Sequence, residues 1–380
     1  MHLIAILAIL ITLFIPLAHA IIWQNPDPDV SPPPRRSQAM VYDRENKVVV
    51  LFGGFGNGTH LNDTWVYDPK TNSWTKMEPP ESPSPRAAVT LVYDQKHENI
   101  VLFGGFGHEH VLVFNDTWIY NYKTNIWKEL KPENPPSARA SYGMAYDSKR
   151  NVIVMFGGFT EYNYFKELWV YDPETNSWEH RIQSVAPSAR GSPGFVYDRK
   201  NDVFVLFGGF SEDGFYDDTW IYDPKTDTWK EMNPSVTPPP IRTRMVYDEN
   251  NGLVLFFGGD IVRSGFIDEE GIPEPYSKTW AYQVNGNRWE ELSTQNNPPP
   301  RALNGIAYDS HRNSLIIFGG TDSLIDEENF LGREFSDTWV LPLESITSAP
   351  DPVMLLLLII GVATAVTVGM VYFSKSVKKK

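Results

Sequence analysis

Six Phe-Gly-Gly triplets recur along the chain, with first glycines at Gly53, Gly104, Gly157, Gly208, Gly258 and Gly319. Eleven positions before each of these glycines stands a tyrosine followed by aspartate: Tyr42, Tyr93, Tyr146, Tyr197, Tyr247 and Tyr308. That interval never changes, whereas the distance onward to the next landmark does. The landmark is a tryptophan (Trp65, Trp118, Trp169, Trp220, Trp280, Trp339), followed in five of the six modules by another tryptophan nine residues on (Trp74, Trp127, Trp178, Trp229, Trp289). Fixed spacing inside a unit and loose spacing between units is the pattern of strands joined by tight hairpins and open loops. The aromatic share of 13%, with 27 glycines and 30 prolines, agrees with many short strands and turns and argues against an all-helical fold.

Each module reads as four strands, here called a to d. In the first, residues 37–42 alternate small and apolar side chains, 43–47 form a polar turn, and 48–52 are a β-branched run ending at the glycine pair. After a loop over 55–62, residues 64–67 form strand c and 73–76 strand d, joined by Asp68-Pro69-Lys70-Thr71-Asn72. That turn carries its own chemistry: Asp68 caps, Pro69 presets φ, and Asn72 tolerates a left-handed backbone. The glycine pair suits a crowded place where the backbone bends away from the inner strands.

These Gly-Gly, Tyr and Trp positions, six times over between about residues 21 and 341, resemble the module signature of the Kelch-repeat β-propellers. The resemblance implies an all-β, six-bladed propeller, each blade a four-stranded antiparallel sheet radiating from a central channel. Closure follows from the spacing itself. The sixth module lacks its second tryptophan, and Trp23 near the start of the chain is unassigned. Trp23 lies twelve residues before Arg35, the interval that also separates Trp74 from Arg86, Trp127 from Arg139, Trp178 from Arg190 and Trp289 from Arg301. The N-terminal strand is therefore expected to be strand d of the last blade, hiding an edge that would otherwise stay open.

Both ends of the chain carry membrane signals. Residues 3–17 are almost all apolar and run into Ala18-His19-Ala20, which fits a secretory signal peptide over 1–20, an uncut anchor being the alternative. Residues 353–373 are apolar and free of charge, long enough to cross ~30 Å of hydrocarbon as one C-terminal transmembrane helix. The basic tail, 374–380, then stays cytoplasmic by the positive-inside rule. The expected order is a signal peptide (1–20), a propeller (21–342), a short stalk (343–352), the span and the tail. The expected location is the cell membrane, single-pass, with the propeller extracytoplasmic. The chain would leave the propeller after strand c of the last blade, so the d–a and b–c loops would point away from the bilayer.

Four of the 33 basic residues lie in the last six positions, leaving 29 basic against 47 acidic side chains elsewhere. So acidic a body repels phosphate backbones, and no nucleic-acid partner is expected. The absence of cysteine excludes disulfides, thiolate metal sites and cysteine nucleophiles. Among Kelch enzymes it also excludes the copper-radical oxidases, which need a Tyr–Cys cross-link. No cofactor and no metal are expected: His108-Glu109-His110 is too short for helical metal-pair spacing, and Asp268-Glu269-Glu270 and Asp326-Glu327-Glu328 lack EF-hand spacing.

Candidate binding residues come from the outward loops. An arginine opens strand a in every module, at Arg35, Arg86, Arg139, Arg190, Arg242 and Arg301, with Arg242 displaced by two residues relative to its tyrosine. Kelch adaptors that bind acidic peptides carry arginines at this motif position, so the resemblance nominates these six as a ligand-binding ring. The other reading is that they bond loop carbonyls and fix the loops. The first four b–c loops begin with Phe55, Phe106, Phe159 and Phe210, which either line the same face or pack within it. Asn57, Asn62 and Asn115 open glycosylation sequons in exported loops. Together these features imply a membrane-tethered module binding a protein or glycan ligand on the face away from the bilayer, which the transmembrane helix contacts. The alternative is a carbohydrate-processing enzyme resembling the Kelch-type sialic acid epimerases, with a loop carboxylate such as Glu109, Glu161 or Glu212 at the channel mouth.

Overall fold

A computed structural model describes residues 21–107, 112–261, 274–322 and 332–343. The expected signal peptide, transmembrane helix and tail, His108-Glu109-His110 and both acidic clusters lie outside the described residues. Among the described residues no helix is long and apolar enough to cross a membrane.

The six modules form six blades. In blade 1, Ala39–Asp43, Val48–Gly56, Thr59–Asp68 and Ser73–Met77 pair in sequence order as one antiparallel sheet. Modules two to five repeat that order. The local reasons match the turn chemistry: the Asp68 carboxylate accepts the Lys70 N–H at 2.7 Å, and Asn72 sits at φ 52° and accepts the Tyr67 hydroxyl at 2.8 Å. The same Tyr-to-Asn bond recurs as Tyr120–Asn125, Tyr171–Asn176 and Tyr282–Asn287.

Blade 6 contributes three consecutive strands, Gly305–Asp309, Ser314–Phe318 and Thr338–Pro342. Gln24 completes it by exchanging two backbone hydrogen bonds with Val340, at 2.8 and 2.9 Å. The register is that of the first blade, where Val66 faces Thr75 one residue after Trp74. Trp23 therefore occupies the strand-d position, fully buried.

Burial between blades follows one rule. Each strand-d tryptophan packs on the phenylalanine that precedes the glycine pair of the preceding blade: Trp127 on Phe52, Trp178 on Phe103, Trp229 on Phe156, Trp289 on Phe207, Trp23 on Phe257 and Trp74 on Phe318, all with centroids 4.6–5.2 Å apart. Six contacts in a closed cycle bury the apolar faces of all six blades. The glycines add a second cycle. The second glycine N–H of each blade donates to the backbone carbonyl at the arginine position of the next: Gly54 to Arg86, Gly105 to Arg139, Gly158 to Arg190, Gly209 to Ile241, Gly259 to Arg301 and Gly320 to Arg35. Gly53 shows why no side chain is tolerated there, since a Cβ would lie 2.6 Å from the Arg86 carbonyl oxygen at a φ of +63°.

Leu343, the last described residue of the propeller, donates its N–H to Asn313 in the a–b turn. The chain thus ends its propeller on the face opposite the d–a and b–c loops.

Candidate functional site at the channel mouth

Five of the six nominated arginines are wholly buried: Arg35, Arg86, Arg139, Arg190 and Arg301 are each 0% exposed. Each guanidinium is committed inside its own blade. Arg35 donates Nε to the Pro33 carbonyl, Nη1 to the Gly53 carbonyl, and both Nη groups to the Asp63 carboxylate at 2.6 and 2.8 Å. Arg86 with Asp116, Arg190 with Asp218 and Arg301 with Asp337 reproduce that pattern, and Arg139 pairs through one nitrogen with Glu167. Four of these guanidiniums also lie 3.9–4.2 Å above a b–c loop ring, namely Phe114, Phe165, Tyr216 and Phe335. Burial pushes the Asp63 and Asp337 carboxyls up, but the arginine bonds outweigh it and leave both below the ordinary aspartate range. The geometry is that of a brace between the d–a loop, the glycine turn and strand c. It supports the loop-fixing reading for these five, because their guanidiniums lie inside the blade and expose no surface.

Arg242 differs, and it does not occupy the braced position. Ile241 does: it receives the Gly209 N–H and donates to the Tyr216 carbonyl, as Arg190 receives Gly158 and donates to Phe165. Arg242 instead pairs across the strand with Asp260, in the place where Arg36, Ala87, Ala140, Gly191 and Ala302 face Phe55, Phe106, Phe159, Phe210 and Thr321. Three further substitutions accompany this change. The brace carboxylate, two residues before the strand-c tryptophan, is replaced by Lys278, which pairs with Glu291. The Gly258 carbonyl, which an arginine would satisfy, accepts the Thr243 hydroxyl at 3.2 Å. The post-glycine aromatic is replaced by Asp260, fully buried and bonded to Arg242 Nε.

The nominated phenylalanines form an arc on the same face. Phe106 meets Phe159 at 5.2 Å, Phe159 meets Phe210 at 5.3 Å, and Tyr164 packs against both Phe159 and Phe210. Arg36 lies 4.5 Å over Phe55 at one end, and Arg242 lies 5.1 Å over Phe210 at the other. Phe106 is buried, while Phe55, Phe159 and Phe210 are half-buried, and Tyr162 beyond them is 76% exposed.

Behind this arc a cavity of about 500 Å3 runs along the channel. Arg244 lies across it. Its Nη1 donates to the Gln38 carbonyl of blade 1 at 2.7 Å and its Nη2 to the Val89 carbonyl of blade 2 at 3.1 Å. Among the described residues no carboxylate pairs with it, and burial pulls its pKa down to about 10. At the far end, on the a–b turn side, Glu249 bridges Arg44 and Arg199.

A family model described as the KLHDC2/KLHL20/DRC7 Kelch-repeats domain matches three overlapping stretches, residues 12–184, 79–259 and 180–348. The chain belongs to the Kelch-repeat family. This Kelch propeller is similar to Mei4-dependent protein 6 of Schizosaccharomyces pombe, with 21% identity over 81% of this chain and 48% of that protein. It is also similar to Adagio-like protein 3 of Oryza sativa subsp. japonica, with 25% identity over 77% of this chain and 45% of that protein, and to Kelch domain-containing protein 10 of Xenopus tropicalis, with 27% identity over 60% and 56%. The Kelch chain spans about half the length of the curated relatives it matches. Membership makes the propeller a protein-interaction module in the general sense in which Kelch repeats are.

Of the carboxylates considered for catalysis, Glu161 and Glu212 stand exposed on b–c loops of this Kelch domain and Glu109 lies outside the described residues. The sequon residues Asn57, Asn62 and Asn115 are all exposed. Sequence reasoning missed Arg244 and Asp260, which belong to no repeated motif. For Asp260 the signal was its departure from the motif, since every other module carries Phe or Thr at that position.

Proposed function

We propose that this chain is a membrane-tethered, extracytoplasmic Kelch propeller that recognises a protein ligand through the d–a and b–c loops. The observation that carries the binding surface is the aromatic arc. Phe159 stacks on Tyr164, and Phe210 meets both edge-on, while all three remain half-buried and Tyr162 projects beside them. Rigid aromatic groups that a monomer leaves partly wet are what a partner covers at small entropic cost. Tethering rests on the apolar stretches at 3–17 and 353–373, and the exit of the propeller near Asn313 supports an arc that faces away from the bilayer. Glycans on Asn57, Asn62 and Asn115 would then decorate the rim near the first two blades. A glycan ligand would engage the same arc by stacking.

Two measurements test this. Protease added to intact cells should remove the propeller while a tag after Lys380 stays protected; a protected propeller would end the topology. A photo-crosslinking residue at Tyr162 should form protein adducts on native membranes, and one at Lys200, on the opposite face, should not. Adducts at Lys200 alone, or at neither position, would refute the binding face.

A further inference from the structure

The repeats provide an internal standard for what the scaffold requires. In five blades the arginine at the motif position has its Nε, Nη1 and Nη2 groups engaged by protein acceptors, and its charge is neutralised by a carboxylate. Blade 5 departs at every linked position at once: Ile241 for arginine, Lys278 for the carboxylate, Thr243 on the glycine carbonyl and Asp260 for the aromatic. What it offers the channel instead is two guanidiniums whose donors are only partly used. Arg242 engages Asp260 through Nε, and Arg244 uses one hydrogen each of Nη1 and Nη2 on backbone carbonyls. A guanidinium has five N–H donors in a fixed fork, so both retain donors for a ligand.

The charge of the cavity points the same way. The protein carries 47 acidic against 33 basic residues, yet the ionisable residues lining the cavity include five arginines, Arg36, Arg44, Arg199, Arg242 and Arg244, and a single acid, Glu249. Glu249 is held between Arg44 and Arg199 at the far end, Glu334 by Arg36 and Asp260 by Arg242, which leaves Arg244 as the lining arginine without a carboxylate partner among the described residues. A desolvated cation without a counter-charge is costly. A positive channel with apolar walls concentrates anions from an otherwise repelling surface. Opposite blade 5 the mouth is aromatic, formed by Phe106 and Phe159 with Phe210 beside Arg242.

We propose that the channel binds a small organic acid, a carboxylate on an apolar or aromatic body, with the carboxylate on Arg244 and Arg242 and the body against the phenylalanine arc. The cavity is the size of a small-molecule site. The proposal does not depend on a protein partner, and the outcome of the Tyr162 crosslinking leaves it standing or falling on its own test.

Benzoate and its neutral isostere benzamide are the probes, titrated into the full-length protein in detergent and followed by ligand-observed saturation transfer. Benzoate should bind saturably below roughly 10 mM and at least about tenfold more tightly than benzamide. Arg244→Gln should remove that preference. Because Arg244 also ties blade 5 to blades 1 and 2, Arg242→Gln serves as a second variant that leaves this tie in place, and it should weaken benzoate by roughly three- to tenfold. Equal binding of the two probes to the wild type, or no saturable benzoate binding, overturns the proposal. So does an unchanged preference in either variant.

Discussion

Blade 5 and the other five blades solve one structural problem in two ways. Where a d–a loop, a glycine turn and strand c meet, five blades place a wholly buried arginine paired with a partly buried carboxylate. Blade 5 fills the same place with Ile241 and lets Thr243 satisfy the carbonyl. A second cycle shows the same break. Around the channel, Ser37 donates to Leu303, Ala88 to Ser37, Ser141 to Ala88 and Ser192 to Ser141, and among the described residues blade 5 adds no link. Blade 5 is tied across the channel instead, by Arg244 to blades 1 and 2 and by Glu249 to Arg44 of blade 1. The lesson is that a residue repeated in every module reports on the scaffold, whereas function is to be sought where one module breaks the pattern at several linked positions.

The largest effect expected from this contrast is in the braces. Arg139→Ala with Arg190→Ala strands Glu167 and Asp218 beside empty space, at about 3 kcal/mol or more for each lost partner. The two seams are separate, so the losses should roughly add and lower the melting temperature steeply. A double mutant that melts with the wild type and loses only ligand would restore the reading of these arginines as a binding ring. Next in size is closure. Trp23→Ala removes a wholly buried indole packed 4.9 Å from Phe257 and should cost about 3–5 kcal/mol across the whole propeller. Unfolding of the N-terminal strand alone, with the main transition unmoved, would contradict a closed ring.

Much of this architecture was legible because covalent spacing encodes it. The eleven-residue hairpin and the twelve-residue interval from Trp23 to Arg35 are distances along the chain, and they led directly to six blades and the N-terminal strand d. The arginine environment was not legible in the same way. Each brace carboxylate lies 28 to 36 residues beyond its arginine, across a b–c loop of variable length, so only the fold brings them together. The clue was nonetheless present: twelve residues from Trp229 falls on Ile241, and Lys278 stands where Asp63, Asp116, Glu167, Asp218 and Asp337 recur. Arg242, by contrast, stands five residues before Tyr247, where the other modules place the arginine seven residues before the tyrosine. Arg244 had no sequence signal at all, because reaching the carbonyls of Gln38 and Val89 depends on the width of the channel.

The comparison sharpens if blade 5 is rebuilt as an ordinary blade. Ile241→Arg alone places a guanidinium at a fully buried site that lacks the brace carboxylate and should destabilise the protein by about 3 kcal/mol. Adding Lys278→Asp supplies the missing carboxylate and sacrifices only the exposed pair with Glu291, which contributes little. The double-mutant cycle should therefore show favourable coupling of roughly 2 kcal/mol by denaturant unfolding. Additive effects would mean that Ile241 does not occupy the brace position.

The smallest effect is a difference in sign with pH. Burial raises the Asp260 carboxyl to about 6, and the Arg242 guanidinium only partly opposes it. The Asp63, Glu167 and Asp337 carboxyls are held below their ordinary range by Arg35, Arg139 and Arg301 despite burial. Depressed carboxyls contribute stability above their unfolded values that is lost as pH falls through the folded ones, which is the acid limb of these three braces. Asp260 acts oppositely. Between about pH 4, where the unfolded carboxyl ionises, and about pH 6, where the folded one does, the native state holds the extra proton, so stability falls as pH rises. Asp260→Asn keeps an acceptor for Arg242 and removes the titration. Stability of the variant relative to wild type should climb by roughly 1–2 kcal/mol from pH 4 to pH 6 and level off above that. Parallel pH curves would show that Arg242 holds Asp260 ionised throughout, making blade 5 electrostatically the same as the blades it otherwise departs from.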